Sequence, residues 1–388
     1  MSLSPSSGVA LQAGPAAVAA PTKPSRAWIE GLELARSAAT FLVLWVHGID
    51  LLPEAWRPYF NPVFLRPGWW GVRIFFAMSG YLIGREVLRV ILRHSRKGSV
   101  TFLLRRWLRT VPTYWMVLAA LVLLQPGRWG GEVVWRNALF LQSLTSVEPS
   151  MLEVAWSLVI EEWSYLILGV VGLVVVALWR RPPDRRVVLW ISAVVVVAVI
   201  VVSIALRLRY AGGPDPSWGV LKKVLALQLD SLAYGALLAV LAAAAPALFQ
   251  RLSQGSWRNL AVCLAVMMLF SLALRQEGEL GWISDTLGWQ CLAAVGYPLS
   301  GLLSCWFLLA LWPFSFAMIW SPLVLPIKTL STMSYSLYLL HLPLHQWFVG
   351  PAPGLAPFLG YLGVSIGFSW LAWWMLEKPF LNLRRHLR

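Results

Sequence analysis

Residues 36–47 read RSAATFLVLWVH, an apolar run with an arginine at one end and a histidine at the other. A helix turns by about 100° per residue, so Arg36 and His47 lie close to three full turns apart and share one face. The rise between them is roughly 16 Å, about half of a bilayer's hydrocarbon core. Two interpretations stay open here: a polar functional site along one helix stripe, or a snorkelling arginine with a hydrogen-bonded packing histidine.

The composition is that of a polytopic membrane protein. Of the 388 residues, 59% are hydrophobic and 13% are charged, whereas a soluble domain has about 25% charged residues. The mean hydropathy is +0.68. The net charge of +15 comes mostly from short loops between apolar runs, where basic residues set membrane orientation. We therefore predict an all-α protein in the lipid bilayer, with no nucleic-acid partner.

Apolar stretches of about twenty residues are long enough to span a membrane as helices. About ten such spans are predicted, and an even number places both termini on one side. Most Lys and Arg residues also fall on that side, so the positive-inside rule predicts cytoplasmic termini. Residues 1–27 are predicted to be a disordered cytoplasmic tail, residues 28–388 form the transmembrane domain, and Pro298 is expected to kink the eighth span. The predicted spans are 32–52, 68–92, 102–124, 152–179, 187–208, 219–244, 257–275, 286–312, 333–350 and 356–376.

A cationic patch opens the third predicted span. Arg105, Arg106 and Arg109 lie within one helical turn, and the last two share a face at a spacing of i, i+3. Guanidinium groups suit phosphate oxygens because their planar fork binds them in a bidentate way. The patch therefore predicts either a site for a phosphorylated small molecule or an anchor on anionic lipid headgroups.

Two adjacent carboxylates, Glu161 and Glu162, lie in the fourth predicted span. Neighbouring residues of a helix point about 100° apart, so only one of them is expected to face a given cavity. That carboxylate can orient His47, pair with an arginine or bind acceptor hydroxyls. The alternative is a structural ion pair between helices.

A polar stripe runs along the ninth predicted span, because Ser334, Tyr338 and His341 share one helix face. Such a stripe points into the bundle, either for a site or for helix packing through hydroxyl groups. Ser79 and Gly80 lie in the second predicted span, where small residues let helices approach closely, so close packing is the favoured interpretation there. Asp230 is an acid within the sixth span and is expected to pair with a buried arginine or another polar group.

Taken together and in this order, the polar segments resemble the acyltransferase 3 family of integral membrane acyltransferases. The resemblance covers about residues 28–382. Two departures are Arg73, where the family often has an acidic or small polar residue, and Trp163, where glutamine commonly follows the paired glutamates. The matching positions are Arg36 and His47 at the Arg-X10-His spacing, 71–83, Phe102, 105–109, Pro112, Tyr114, 156–158, Glu161, Glu162, Asp230 to Gly235, 334–338 with His341, and 377–379.

The resemblance implies O-acylation, often O-acetylation, of a carbohydrate or another hydroxylated acceptor such as a surface polysaccharide. The implied donor is cytoplasmic acyl-CoA, most simply acetyl-CoA, used as a substrate, and we expect neither a permanently bound cofactor nor a metal. His47 is then the general base or the acyl carrier. The expected location is the plasma membrane of a bacterium, its inner membrane. The expected roles are catalysis by His47, Arg36 and Glu161, CoA binding by Arg105, Arg106 and Arg109, and acceptor binding by Glu162, Ser157, Tyr338, His341 and Ser79.

The competing interpretation is a polytopic transporter or flippase for a polar or glycan substrate, without acyl-transfer activity. It explains buried ionisable residues as a substrate pathway. Against it stand the order of the motifs and a sequence without the internal repeat that marks many transporters.

Overall fold

The computed structural model is all-helical and describes residues 26–56, 67–179, 184–273, 286–350 and 352–387. No β-strand occurs in these ranges. Short 3-10 and π-helical turns extend or interrupt several helices. The α-helices in these ranges are α1 (Arg26–Gly48), α2 (Pro67–Leu92), α3 (Arg96–Leu124), α4 (Gly131–Ala138), α5 (Trp156–Leu178), α6 (Arg185–Ala211), α7 (Trp218–Lys223), α8 (Ala233–Ala244), α9 (Pro246–Leu252), α10 (Trp257–Ala273), α11 (Thr286–Cys291), α12 (Tyr297–Leu311), α13 (Ser321–Thr332), α14 (Ser334–His345), α15 (Leu355–Ala372) and α16 (Lys378–His386).

Six helical runs in the described ranges are long and apolar enough to cross a membrane. Helices α9 and α10, bent by 80° at their junction, form a seventh if they are one broken span. The chain is therefore an all-helical, multi-pass protein, as predicted. The count of ten spans and the side of the termini stay predictions, and the predicted tail lies almost wholly outside the described residues. The six runs are Ile29–Leu51, Arg96–Leu124, Glu153–Leu178, Arg185–Ala211, Thr286–Leu311 and Leu355–Arg384.

The predicted sixth span, 219–244, is not one continuous helix. It is divided into α7, a 3-10 turn at Leu225–Leu227, and α8, which begins at Ala233. Gln228 lies in the break, is fully buried, and donates a hydrogen bond to the Leu221 carbonyl at 2.5 Å. Its side chain replaces part of the backbone hydrogen bonding that a continuous helix would supply.

Distant backbone also supports this break. The amide of Leu225 donates to the carbonyl of Ser143 at 2.8 Å, and the amide of Ala226 donates to the carbonyl of Leu144 at 3.2 Å. An unpaired amide at membrane depth costs several kcal/mol, roughly speaking, so a break in a span needs such partners. Hydropathy does not reveal them because they lie about eighty positions away in the sequence.

The predicted ninth span, 333–350, is also shorter than expected. Helix α14 ends at His345, and Met333 separates it from α13. Most of α14 is buried by protein, including Leu337 and Leu339, which have no exposed surface. A short helix suits this position because its neighbours, rather than lipid, surround it.

Two π-helical turns interrupt long helices. The first, Leu292–Gly296, directly precedes α12 and ends two residues before Pro298, whose ring cannot fit an unbroken α-helix. The second, Trp373–Glu377, connects α15 to α16 and buries Glu377, which accepts a hydrogen bond from Ser336 at 2.8 Å. Each of the two interrupted helices still forms one continuous run that is long and apolar enough to cross a membrane.

Helices α2 and α8 cross at two glycines. A methyl group on Gly80 would lie 2.0 Å from the carbonyl oxygen of Leu232, and one on Gly235 would lie 2.0 Å from that of Ala77. Only glycine permits this backbone approach. The predicted close packing at Gly80 is therefore correct, and it holds Ser79 against the centre of the bundle.

Candidate functional site

Three arginines line one cavity, which we name the arginine cavity. Arg36 comes from α1, and Arg106 and Arg109 come from one face of α3, as their spacing predicts. The cavity volume is about 70 Å³. In the described part of the chain, none of the three guanidinium groups has a carboxylate oxygen within 4.0 Å. Arg106 instead lies over the ring of Tyr165, 5.1 Å from its centroid.

Glu161 faces the same cavity, whereas Glu162 does not line it. The Glu161 carboxylate accepts hydrogen bonds from the hydroxyl of Ser79 at 2.9 Å and from that of Tyr165 at 2.8 Å. Glu162 is buried, and neither of its oxygens makes a hydrogen bond of standard geometry to a described residue. The 100° separation of adjacent helical residues explains why the two carboxylates have different surroundings.

The far wall of the arginine cavity is built from hydroxyl groups. The hydroxyl of Tyr338 donates to the Val154 carbonyl at 2.9 Å and lies 2.5 Å from the hydroxyl oxygen of Ser157. Ser334, one turn before Tyr338 on α14, also lines the cavity. These contacts fix the Tyr338 ring in place, with its centroid 5.9 Å from that of His341.

Behind that wall two histidines are in contact. Nε2 of His341 lies 3.2 Å from Nδ1 of His47, and the ring centroids are 4.9 Å apart. His341 has no exposed surface, and its Nδ1 lies 3.0 Å from the Leu337 carbonyl oxygen. Nδ1 of His47 also lies 2.8 Å from the Val43 carbonyl oxygen. Within the described ranges, these are the hydrogen bonds of the two rings.

His47 lines a second cavity, which we name the histidine cavity. Its volume is about 450 Å³, and it lies at the other end of the 36–47 stretch. The ring of His345 also lines it, with Nε2 3.0 Å from an Asp50 carboxylate oxygen. The remaining polar and aromatic lining includes Gln125, Arg128, Trp129, Glu153 and Gln346. Arg36 and His47 therefore face different cavities from one helix.

The structure brings most predicted site residues to one of the two cavities. His47 lines the histidine cavity, and His341 is buried behind it. Glu161 is not hydrogen-bonded to His47, a contact that the sequence left open. The predicted residues that line the arginine cavity are Arg36, Ser79, Arg106, Arg109, Ser157, Glu161 and Tyr338.

Arg105 points away from the arginine cavity. Its guanidinium group donates hydrogen bonds to the backbone carbonyl of Leu387, with Nε at 3.0 Å, and so holds the end of the chain against α3. Arg105 and Arg106 are adjacent in the sequence, but a helix turns by about 100° over that step.

Sequence reasoning did not identify Asp50 or His345 as site residues. Both positions had a detectable signal, because Asp50 follows His47 by one helical turn and His345 lies four residues after His341. Extending the polar stripe of α14 by one more turn would have included His345.

The family model described as an acyltransferase domain, acyltransferase 3, matches residues 29–376. This range contains all residues that line both cavities. Neither the curated proteins nor the solved structures gave a significant match to the chain.

Proposed function

The chain belongs to the acyltransferase 3 family, and from this premise we propose that it is a membrane O-acyltransferase that uses acyl-CoA. The acyl group, most simply acetyl, passes to a hydroxyl group of a carbohydrate or another hydroxylated acceptor. The observation that carries the proposal is that His47 lines a polar cavity and is connected, through His341 and Tyr338, to a second cavity lined by three arginines.

The arginine cavity is the proposed donor site. Arg36, Arg106 and Arg109 repel one another, and carboxylates such as Glu161 and Glu377 attract them only from beyond ion-pair distance. Clustered like charges with only distant counter-charges are costly, and a bound polyanion relieves that cost. The phosphates of CoA supply such an anion, and bidentate contacts with guanidinium groups suit them. With cytoplasmic termini, this cavity lies on the side where acyl-CoA is available.

Glu161 has a positioning role in this proposal. Its carboxylate, Ser79 and Tyr165 form one hydrogen-bonded group on the cavity wall. The pantetheine arm of CoA carries amide N–H groups, and a carboxylate can accept hydrogen bonds from them. The arm would then lie along this wall, with the thioester directed toward Tyr338 and the histidine pair behind it.

His47 is the proposed reacting base. In one route it takes the proton of the acceptor hydroxyl as the oxygen attacks the thioester carbonyl carbon. The C–S bond then breaks, and the CoA thiolate receives the proton. In the other route a ring nitrogen of His47 first carries the acyl group and passes it to the acceptor. Both routes need a ring nitrogen with a free lone pair.

The histidine cavity is the proposed acceptor site. Its lining combines amides, carboxylates, an arginine and Trp129, a set that matches the hydroxyl groups and the apolar face of a sugar ring. The pair of Asp50 and His345 offers a second polar contact beside His47. An acceptor bound in the histidine cavity places a hydroxyl group beside His47, and the donor lies on the opposite side of the histidine pair.

The test is transfer of labelled acetyl groups from acetyl-CoA to glycans in membrane vesicles that contain the full chain. We expect His47→Ala to abolish transfer and free CoA release while the protein still inserts. His94→Asn is the matched control: this histidine lies in the loop between α2 and α3 with φ of 50°, a conformation that asparagine tolerates. Activity of His47→Ala equal to that of wild type contradicts the proposal. A transporter would leave acetyl-CoA intact in both proteins.

A further inference from the structure

The histidine pair determines where the protons of His47 lie. His341 is held on α14 without exposed surface, and its Nδ1 lies 3.0 Å from the Leu337 carbonyl oxygen. A carbonyl oxygen only accepts hydrogen bonds, so Nδ1 of His341 carries the hydrogen. A neutral imidazole has one N–H group, and Nε2 of His341 is then a bare acceptor.

The neutral form of His341 follows from its surroundings. Its contacts are the Leu337 carbonyl, the His47 ring and the nearby Tyr338 ring, and no carboxylate lies within 4.0 Å of it among the described residues. The nearest ionisable groups from the packed elements include His345 and, through it, Asp50. A buried imidazolium without a paired carboxylate is strongly disfavoured.

The tautomer of His47 follows in turn. Its Nδ1 faces two acceptors, the Val43 carbonyl oxygen at 2.8 Å and Nε2 of His341 at 3.2 Å. Two facing lone pairs would repel each other, so Nδ1 of His47 must carry the hydrogen. Nε2 of His47 then has the free lone pair on a ring that lines the histidine cavity.

We propose that His341 is a positioning residue: together with the Val43 carbonyl it holds the reactive tautomer of His47, and its Nε2 accepts a hydrogen bond from Nδ1–H of His47 as charge develops on that ring. The proposal rests on the proposed function, in which His47 is the reacting base. In this proposal His341 does not contact the substrate and acts only through His47.

The proton movements balance in either route. When Nε2 of His47 takes the acceptor hydroxyl proton, the imidazolium shares its Nδ1 proton with Nε2 of His341. That proton returns as Nε2 of His47 protonates the departing CoA thiolate. When Nε2 of His47 instead attacks the thioester, the C–S bond breaks, CoA leaves as the thiolate, and the acyl-imidazolium keeps the hydrogen bond from its Nδ1–H group to Nε2 of His341. The acceptor hydroxyl then attacks the acyl carbon, the bond from that carbon to Nε2 of His47 breaks, and the hydroxyl proton passes to the CoA thiolate.

The test compares His341→Gln with His341→Phe in the full-length protein. A glutamine side chain can place an acceptor oxygen near Nδ1 of His47, whereas phenylalanine fills the space without an acceptor. We expect His341→Phe to lower kcat on the order of 100-fold, with KM for acetyl-CoA unchanged because His341 lines neither cavity. We expect His341→Gln to recover kcat to within about tenfold of wild type. His341→Met is a second apolar variant in case the phenylalanine does not fit.

Several outcomes overturn the inference. Equal kcat for wild type and the folded apolar variant means that His341 does not assist His47. Equal loss in His341→Gln and the apolar variant, accompanied by a changed KM, indicates packing alone. Both leave the proposed function standing if His47→Ala is inactive. Full activity of His47→Ala removes the proposed function itself, so the two failures are distinguishable.

Discussion

Two groups of arginines, one fully buried and one half-buried, differ in how their charge is satisfied. Arg207 donates to both carboxylate oxygens of Asp230, at 2.7 and 2.6 Å, and to the Leu227 carbonyl at 2.9 Å. Its guanidinium group also lies 4.9 Å from the ring centroid of Tyr297. The arginines of the arginine cavity have no comparable set of partners among the described residues. One group has its ion pair within the folded chain, and the other has no carboxylate oxygen within 4.0 Å among the described residues.

Arg73 packs beside the pair of Arg207 and Asp230 without an ion pair of its own among the described residues. Its guanidinium group lies between the rings of Trp69 and Tyr297, 5.1 and 4.8 Å from their centroids, and donates to Ser231 at 3.3 Å. Asp230 therefore stabilises two buried cations: it forms an ion pair with Arg207, and it attracts Arg73 electrostatically from beyond ion-pair distance. This packing gives a structural reason for an arginine at position 73, where the family often has an acidic or small polar residue.

The difference separates stability from function. A saturated cluster holds helices together and offers no lone donor to a ligand. An unsaturated cluster lowers stability, and a protein retains it where a substrate supplies the missing charge. Hydropathy does not distinguish the two, because both are arginines within apolar helices.

The largest effect is expected from breaking the Arg207 ion pair with Asp230→Ala. Removing one partner of a buried ion pair leaves an uncompensated charge and costs about 3–5 kcal/mol. We expect a large drop in the thermal unfolding midpoint in detergent. Asp215→Asn, at an exposed acidic residue, is the matched control and should leave the midpoint unchanged. A small effect of Asp230→Ala would remove the contrast between the two groups.

Features of both arginine groups could be predicted from the sequence. The spacing of Arg106 and Arg109 placed both on one helix face, and the structure confirms that they line one cavity. The pairing of Asp230 with a buried arginine was likewise predicted and is confirmed. Helix periodicity supports these predictions because it is a local property of the chain.

Long-range contacts were the part that the sequence left open. Nothing near Arg105 indicates that its partner is the backbone of Leu387, and nothing near Asp230 singles out Arg207 as its partner. The contact between His47 and His341 joins residues 294 positions apart. Such pairs depend on how helices pack, which the apolar pattern of each helix alone does not determine.

A smaller effect, of a different kind, is expected from Arg106→Gln. Contacts between a charged donor and an acceptor contribute roughly 1.5–3 kcal/mol, so KM for acetyl-CoA should rise about 10- to 100-fold. The midpoint of unfolding should stay level or rise, because an unpaired buried cation is removed. Kinetics in membrane vesicles and unfolding of the same preparations measure both quantities.

Arg105→Gln is the matched control for this experiment. It removes the same charge one position away, at a side chain that holds Leu387 and does not line the cavity. KM should therefore stay near the wild-type value. Equal increases in KM for both variants would mean that overall cationic charge, rather than the arginine cavity, binds the donor.

The smallest effect is expected at Arg136, which has more carboxylate partners than Arg207. It lies 3.0 Å from a Glu132 oxygen and 3.4 Å from a Glu148 oxygen, but its side chain is 34% exposed. Water screens such pairs, so Arg136→Ala should cost at most about 1 kcal/mol. The difference from wild type should shrink further in about 1 M salt, where the Debye length is only about 3 Å. A loss as large as that of Asp230→Ala, independent of salt, would contradict this view. The number of partners is therefore not the deciding quantity. What distinguishes a structural arginine from a ligand-binding one is whether a buried carboxylate already neutralises its charge.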